Sequence, residues 1–291
     1  MAIGILCVIF ASVAFGIGPV FIKELMAYGM NTTDMLLFTR IIILIATGAI
    51  LLIRKVSFRV TKTQLWQLLL FAGCSNGMTA WLLISSYRFL PIGFATMFHF
   101  IYPVIVTVFM ALFYKEKIST MKIFSIVLAI TGLCLILDLS GSVSFIGVAL
   151  ALGSGLTYAV YVIANRISVY KELSAFVIIF YSSLIVLLGS VFVQLVNGQL
   201  IMPSTGWEWL LISANGLLGN LFAFLMLIHG IRRIGASNAA IANMLEPITA
   251  LVAGIVIYGE RIGFIALCGC ILVLLAITLI AVNKKNLQIG D

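Results

Sequence analysis

Glu246 lies inside a long apolar run, immediately before Pro247 in the stretch NMLEPITALVAGIVIY. Asn243 and Thr249 stand three residues to either side and share its face of a helix. Placing an ionisable side chain in hydrocarbon costs about 2.5–3.5 kcal/mol for Asp, Lys or Arg on insertion scales, so such groups usually face a cavity and mark a path for a solute or ion. A carboxylate there can hold an ammonium or another organic cation. It can also take up and release a proton as its surroundings alternate between wet and apolar. A second polar face precedes Pro103, where Thr96, His99 and Tyr102 recur at intervals of three. Glu246 and His99 are the candidates for proton coupling. Phe15, Trp81, Tyr158 and Tyr161 are the aromatic candidates for lining a pocket, where ring faces beside a carboxylate suit an organic cation or the ammonium of an amino acid.

The elements that carry these residues must lie in lipid. Hydrophobic residues make up 63% of the 291 residues and charged ones 9%, against about 25% charged in soluble domains. Mean hydropathy is +1.26. Roughly 20 apolar residues cross a bilayer as a helix, and runs of that kind fall at 2–22, 34–53, 64–86, 93–113, 121–137, 144–164, 174–196, 207–229, 236–257 and 262–282. No alternating ten-residue strands of a β-barrel are present. The expectation is an all-α integral membrane protein of ten transmembrane helices, with loops too short for a further domain. The first run has no Lys or Arg before it and no Ala-x-Ala site after it, and reads as a retained helix rather than a leader.

Charge placement gives an orientation. With the N-terminus inside, the cytoplasmic loops hold 13 of the 17 Lys and Arg, leaving Lys23, Arg40, Arg88 and Arg261. That excess predicts both termini in the cytoplasm. It also explains the net charge of +8 without nucleic acid. Arg40, Arg88, Lys23 and Glu24 are expected near the outer face, snorkelling or pairing locally. The five cysteines all lie in apolar runs without metal-ligand spacing and read as buried apolar thiols. Asn76, Asn165, Asn215 and Asn220 read as interhelical hydrogen-bonding groups.

The two halves resemble each other. YPVIVTVFMALFYKEKI around Pro103 aligns with EPITALVAGIVIYGERI around Pro247 at an offset of 144, matching Tyr114 with Tyr258 and Glu116 with Glu260. His99 then falls on Asn243, and Tyr102 on Glu246. Near Phe15 and Tyr158 the offset is 143. Five helices per half, 1–139 and 140–291, would make the second copy enter the membrane inverted. Inverted repeats place a substrate site near the midplane and allow alternating access. Glu116 and Glu260, each beside a basic residue, are expected to anchor loops.

The helix layout, the YRFLPIGFATM stretch, and the paired YPVIV…YKEKI and LEPIT…YGERI stretches resemble the EamA branch of the drug/metabolite transporter superfamily. Position 15 is Phe where that family often has Trp. The resemblance implies a ten-helix carrier of two inverted halves around a central cavity. It also implies export of amino acids, other metabolites or amphipathic compounds across the plasma membrane. An organic cation such as a quaternary amine is the alternative substrate class. A lipid-modifying enzyme would need clustered catalytic groups, yet the aspartates are only Asp34, Asp138 and Asp291, and no H-E-x-x-H, nucleophile elbow or phosphate-binding GxxxxGK[ST] occurs. The reading is therefore of a non-enzyme without cofactor or metal, whose partners are a small molecule and the bilayer. Its oligomeric state is left open.

Overall fold

The computed structural model describes residues 2–90, 92–136, 144–197, 200–258 and 263–282, and these are helical with short connections. In chain order they form α1 (Ala2–Ala27), α2 (Thr32–Ile53), α3 (Lys62–Ser86), α4 (Ile92–His99), α5 (Tyr102–Tyr114) and α6 (Thr120–Ile136). The second half supplies α7 (Phe145–Ile167), α8 (Ala175–Asn197), α9 (Gly206–Ile234), α10 (Ala236–Ala242), α11 (Glu246–Tyr258) and α12 (Phe264–Val282). No strand occurs among the described residues. Glu260, Arg261, Asp138, Lys284, Lys285 and Asp291 lie outside them.

Seven helical runs are long and apolar enough to cross a membrane: α1, α2, α3, α7, α8, α9 and the continuous run Ala236–Ile257. Three shorter apolar helices, Tyr102–Tyr114, Thr120–Gly132 and Leu267–Leu279, accompany them. Large apolar side chains cover the outside, among them Phe113, Phe145, Phe192, Leu195 and Phe264. A water-facing surface rarely carries contiguous patches of that kind. The chain is a multi-pass membrane protein.

Several starts follow from local chemistry. Asn31 caps α2 by accepting from Asp34 N–H at 2.9 Å, and Thr61 with Gln64 forms a reciprocal capping box at α3. Thr205 caps α9 through Glu208 N–H. Gly235, at φ +82°, makes the turn from α9 to α10, in a conformation that L side chains rarely adopt.

Two departures from regular helix matter for function. The expected helix 93–113 is divided into α4 and α5, because Pro103 has no N–H for the His99 carbonyl. Residues 236–258 are interrupted 144 residues later, where Asn243–Leu245 tightens into a 3-10 turn ahead of Pro247. There the Glu246 N–H takes the Asn243 carbonyl that Pro247 cannot bond. In addition, α3 and α9 each contain a π-helical stretch, Leu68–Cys74 and Asn215–Phe222. The Ser182 hydroxyl donates to the Ala72 carbonyl in the first at 2.8 Å, and Asn220 Nδ2 donates to the Asn215 carbonyl in the second at 2.9 Å. Side chains thereby serve backbone groups that lipid cannot.

The main packing partners come from opposite halves of the chain. α1 packs on α9 and α11, and α7 packs on α3, α4 and α5. α2 lies against α8, and α6 against α12. The largest buried apolar cluster accordingly runs from Val8 to Ile277. Glu116 joins the halves at one end: it accepts from Lys122 Nζ at 2.5 Å and from the Ser237 hydroxyl at 3.0 Å. Lys122, 1% exposed, is therefore a buried paired charge rather than a free loop charge. Of the cysteines, Cys270 is buried as expected, whereas Cys74 and Cys134 face outward among apolar side chains. Helix spans are apolar all round in such a bundle, so burial does not follow from residue type.

Close approach rests on small residues. A Cβ at Gly155 would sit 2.6 Å from the His99 carbonyl oxygen, and one at Gly16 would sit 2.6 Å from that of Glu246. A Gly155→Val variant should lose stability by about 1–3 kcal/mol through forced backbone shifts. Gly189→Ala, where a methyl meets nothing within 4 Å, should be neutral or gain up to about 1 kcal/mol. Thermal unfolding of the two variants in detergent checks this, and equal losses would refute the packing argument.

Candidate functional site

The breaks in the α4–α5 and α10–α11 pairs lie side by side beneath α1 and α7, and a hydrogen-bonded cluster fills the junction. Asn243 is its centre. Its Nδ2 donates to Glu246 Oε2 and to the Tyr102 hydroxyl oxygen, both at 3.1 Å, which uses both amide hydrogens. Its Oδ1 lies 2.9 Å from the Ser12 hydroxyl, whose proton is shared with the Val8 carbonyl at 2.8 Å. Tyr102 donates onward to the Ala240 carbonyl at 3.3 Å.

His99 has a matching partner from the opposite half. Its Nδ1 lies 2.9 Å from Ser154 Oγ, and Ser154 spends its single proton on the Ala151 carbonyl at 2.6 Å. With the serine proton on that carbonyl, a neutral His99 carries its hydrogen on Nδ1 and leaves Nε2 as the acceptor nitrogen. Ser12 and Ser154 are near-equivalent under the offset between the halves, as are Asn243 and His99.

Aromatic rings extend the cluster. Tyr158 meets Tyr102 edge-on at 4.7 Å, contacts His99 at 5.2 Å and stacks on Tyr161 at 6.0 Å. Tyr161 meets Phe224 at 5.3 Å, and Phe224 meets Phe15 at 5.0 Å. This row runs along one wall of a cavity that is partly open to the surroundings. Phe15, His99, Tyr158 and Glu246 line that cavity. Tyr102, Tyr161 and Asn243 stand behind them, buried, holding the lining groups in place. Trp81 does not join them. It is 42% exposed on the outer face of α3, while Asn76, Thr79 and Leu83 of the same helix face inward.

The remaining lining residues include several that the sequence left in other roles. Asn76 and Asn220, offset by 144, both reach the cavity, and Asn215 donates to the Thr39 hydroxyl at 3.5 Å. Asn215 and Asn220 lie within the π-helical stretch of α9, and Asn76 lies just after that of α3. Arg40 corrects the expectation of a snorkelling outer-face charge: it is 2% exposed and lines the cavity. Among the described residues no group of three His, Cys, Asp or Glu could hold a metal ion.

A cavity holding a carboxylate, a guanidinium, amides and aromatic faces inside a sheath of apolar helices defines a membrane solute transporter. The chain belongs to the EamA-like transporter family, whose profile matches residues 2–138 and again 145–282. Over 200 residues it is 28% identical to the threonine/homoserine exporter RhtA of Escherichia coli, a match spanning 67% of this chain and 64% of that protein, just under two thirds of its length. The corresponding exporter of Salmonella typhimurium is 27% identical over 232 residues, covering 77% of this chain and 75% of its own. The uncharacterized transporter YvbV of Bacillus subtilis is 28% identical over 209 residues, covering 68% and 66%. A solved crystal structure shares the fold, with a TM-score of 0.78 and 16% identity, over 96% of this chain and 98% of the other.

Asn243→Leu removes one partner each from Glu246, Tyr102 and Ser12 and should destabilise the protein by about 1–3 kcal/mol. Ser12→Ala should cost measurably less in that background than in the wild type, because the two residues share one hydrogen bond. A double-mutant cycle on unfolding midpoints reads this directly, and additive losses would refute the network.

Proposed function

We propose that this protein is a secondary carrier that exports small organic solutes, amino acids or related metabolites, by alternating access. In this reading the broken pairs α4–α5 and α10–α11 each make one crossing, so that ten helices cross the bilayer. They form two inverted five-helix halves, 1–139 and 140–291, with both termini in the cytoplasm of a cell whose plasma membrane holds the chain. The observation that carries the reading is the polar cavity at the junction of the two halves, with Glu246 on its wall and Asn243 fixing that carboxylate from behind.

The two exporters named for threonine and homoserine support amino acids as the solute class. Packing of each half on the other, more than on itself, supports a rocking exchange about the central cluster. Cavity residues lie toward the C-terminal end of α1, the N-terminal end of α2 and the C-terminal end of α3, while the opposite end of α1 is packed shut. That is the asymmetry one alternating-access state requires. Substrate contacts fall to Phe15, His99, Tyr158 and Glu246, positioned by Tyr102, Tyr161 and Asn243. Glu246, with His99, carries the coupling proton: it is held when the carboxylate faces the sealed interior and released when the cavity is wet.

A second reading, an organic cation such as a quaternary amine, is favoured by the Tyr158, Phe15 and Phe224 rings that share the cavity with Glu246. Counterflow into liposomes separates the two. Labelled amino acids should accumulate and tetraalkylammonium ions should not. Glu246→Gln should lower the rate roughly tenfold to a hundredfold, the worth of one charge-assisted hydrogen bond, and abolish its pH dependence. Unchanged transport by that variant across pH would overturn the assignment of Glu246.

A further inference from the structure

Arg40 is a buried charge that the carrier reading leaves without a task. It lines the same cavity as Glu246, yet among the described residues no carboxylate lies within 4 Å of it. Its Nε is buried with no hydrogen-bond partner. A guanidinium stays protonated, so it cannot escape this position by becoming neutral. An uncompensated charge at this depth is costly, and intramembrane charges are ordinarily paired or engaged with what passes through the protein. Its five N–H donors form a planar fork that matches a carboxylate in a two-point contact.

The surroundings restrict the anion. Glu246 on the cavity wall would repel a solute with only negative charge. Thr39, Asn76 and Asn220 around the cavity offer neutral hydrogen bonding and no second cation. Arg40 and Glu246 face one space without touching, so an occupant that satisfies both must carry a negative and a positive end.

We propose that Arg40 is the subsite for the carboxylate of a zwitterionic amino acid, with Glu246 receiving its ammonium. The assignment rests on the carrier reading and narrows it: amines, esters and quaternary cations satisfy only one end. A site built around a buried guanidinium rejects an analogue lacking the carboxylate, because the donors are then left unpaired.

The test uses the full-length protein, with thermal stabilisation in detergent and counterflow in liposomes. The probes are the standard amino acids, L-threonine among them, and the methyl ester of each. Wild type should bind at least one acid roughly tenfold to a hundredfold more tightly than its ester. Arg40→Gln should lose that preference by weakening the acid and leaving the ester unchanged, whereas Glu246→Gln should weaken both. Arg40→Lys keeps the charge without the fork, so it should retain part of the preference, and it serves if the Gln variant does not fold. Acid binding unaltered in Arg40→Gln, or a wild type indifferent between acid and ester, would overturn the subsite while leaving the carrier intact. A wild type that neither binds nor moves any probe would overturn both.

Discussion

Lipid gives a broken helix no water to repair itself with, and this chain breaks two helices at its centre. Pro103 and Pro247 each withhold the N–H that the carbonyl four residues earlier would have used. The consequences spread outward from there. Asn243 tightens into a 3-10 turn so that Glu246 N–H serves its carbonyl, and Gly155 and Gly16 admit the displaced backbone of the opposite half at distances no Cβ would tolerate. Ser12 and Ser154 then reach across to Asn243 and His99. The polar cluster and the close helix contacts are answers to one problem, the satisfaction of backbone and side-chain polar groups where water is absent.

The π-helical stretches in α3 and α9 extend the same logic. An extra residue per turn offsets the helix register and releases carbonyls, which Ser182 and the Asn220 side chain occupy. Asn76 and Asn220 border the cavity, and Asn76 also donates to the Ser182 hydroxyl of α8 at 3.4 Å, an interhelical bond of the kind expected of it. The π-helical stretch of α9 carries the cavity residues Asn215, Gly219 and Asn220, whereas that of α3 ends just before Asn76 and exposes Leu70, Phe71 and Cys74 on the outer face.

Much of this was legible in the residues. Apolar runs of spanning length revealed the helices, and the 144-residue echo between YPVIV and EPITA pointed to the paired proline breaks. Glu246, Asn243, His99 and Tyr102 stood out because a polar group in a spanning run is expensive, and the fold brings them to one junction. Arg40 and Trp81 were misread for a shared reason. Depth and facing around a helix cannot be taken from a segment that is apolar on all sides, so a charge nine residues into α2 passed for a surface group and an exposed indole for a pocket wall. The division of 93–113 was equally hidden, since a proline in a membrane helix can bend it without ending it.

The offset between the halves matches uncharged groups with one another: Asn76 with Asn220, Ser12 with Ser154, and His99 with Asn243 to within a residue or two. It does not do so for the cavity's charges. Tyr102 stands where Glu246 would be repeated, and the uncharged pair Ser183 and Leu184 where Arg40 would be. A frame that must exchange two conformations benefits from halves that can trade places at little cost in energy, which favours equivalent packing and equivalent hydrogen bonds. A site that must hold one solute in one orientation needs the opposite, a positive end and a negative end that do not interchange. Keeping the scaffold paired and the charges single meets both demands within one bundle.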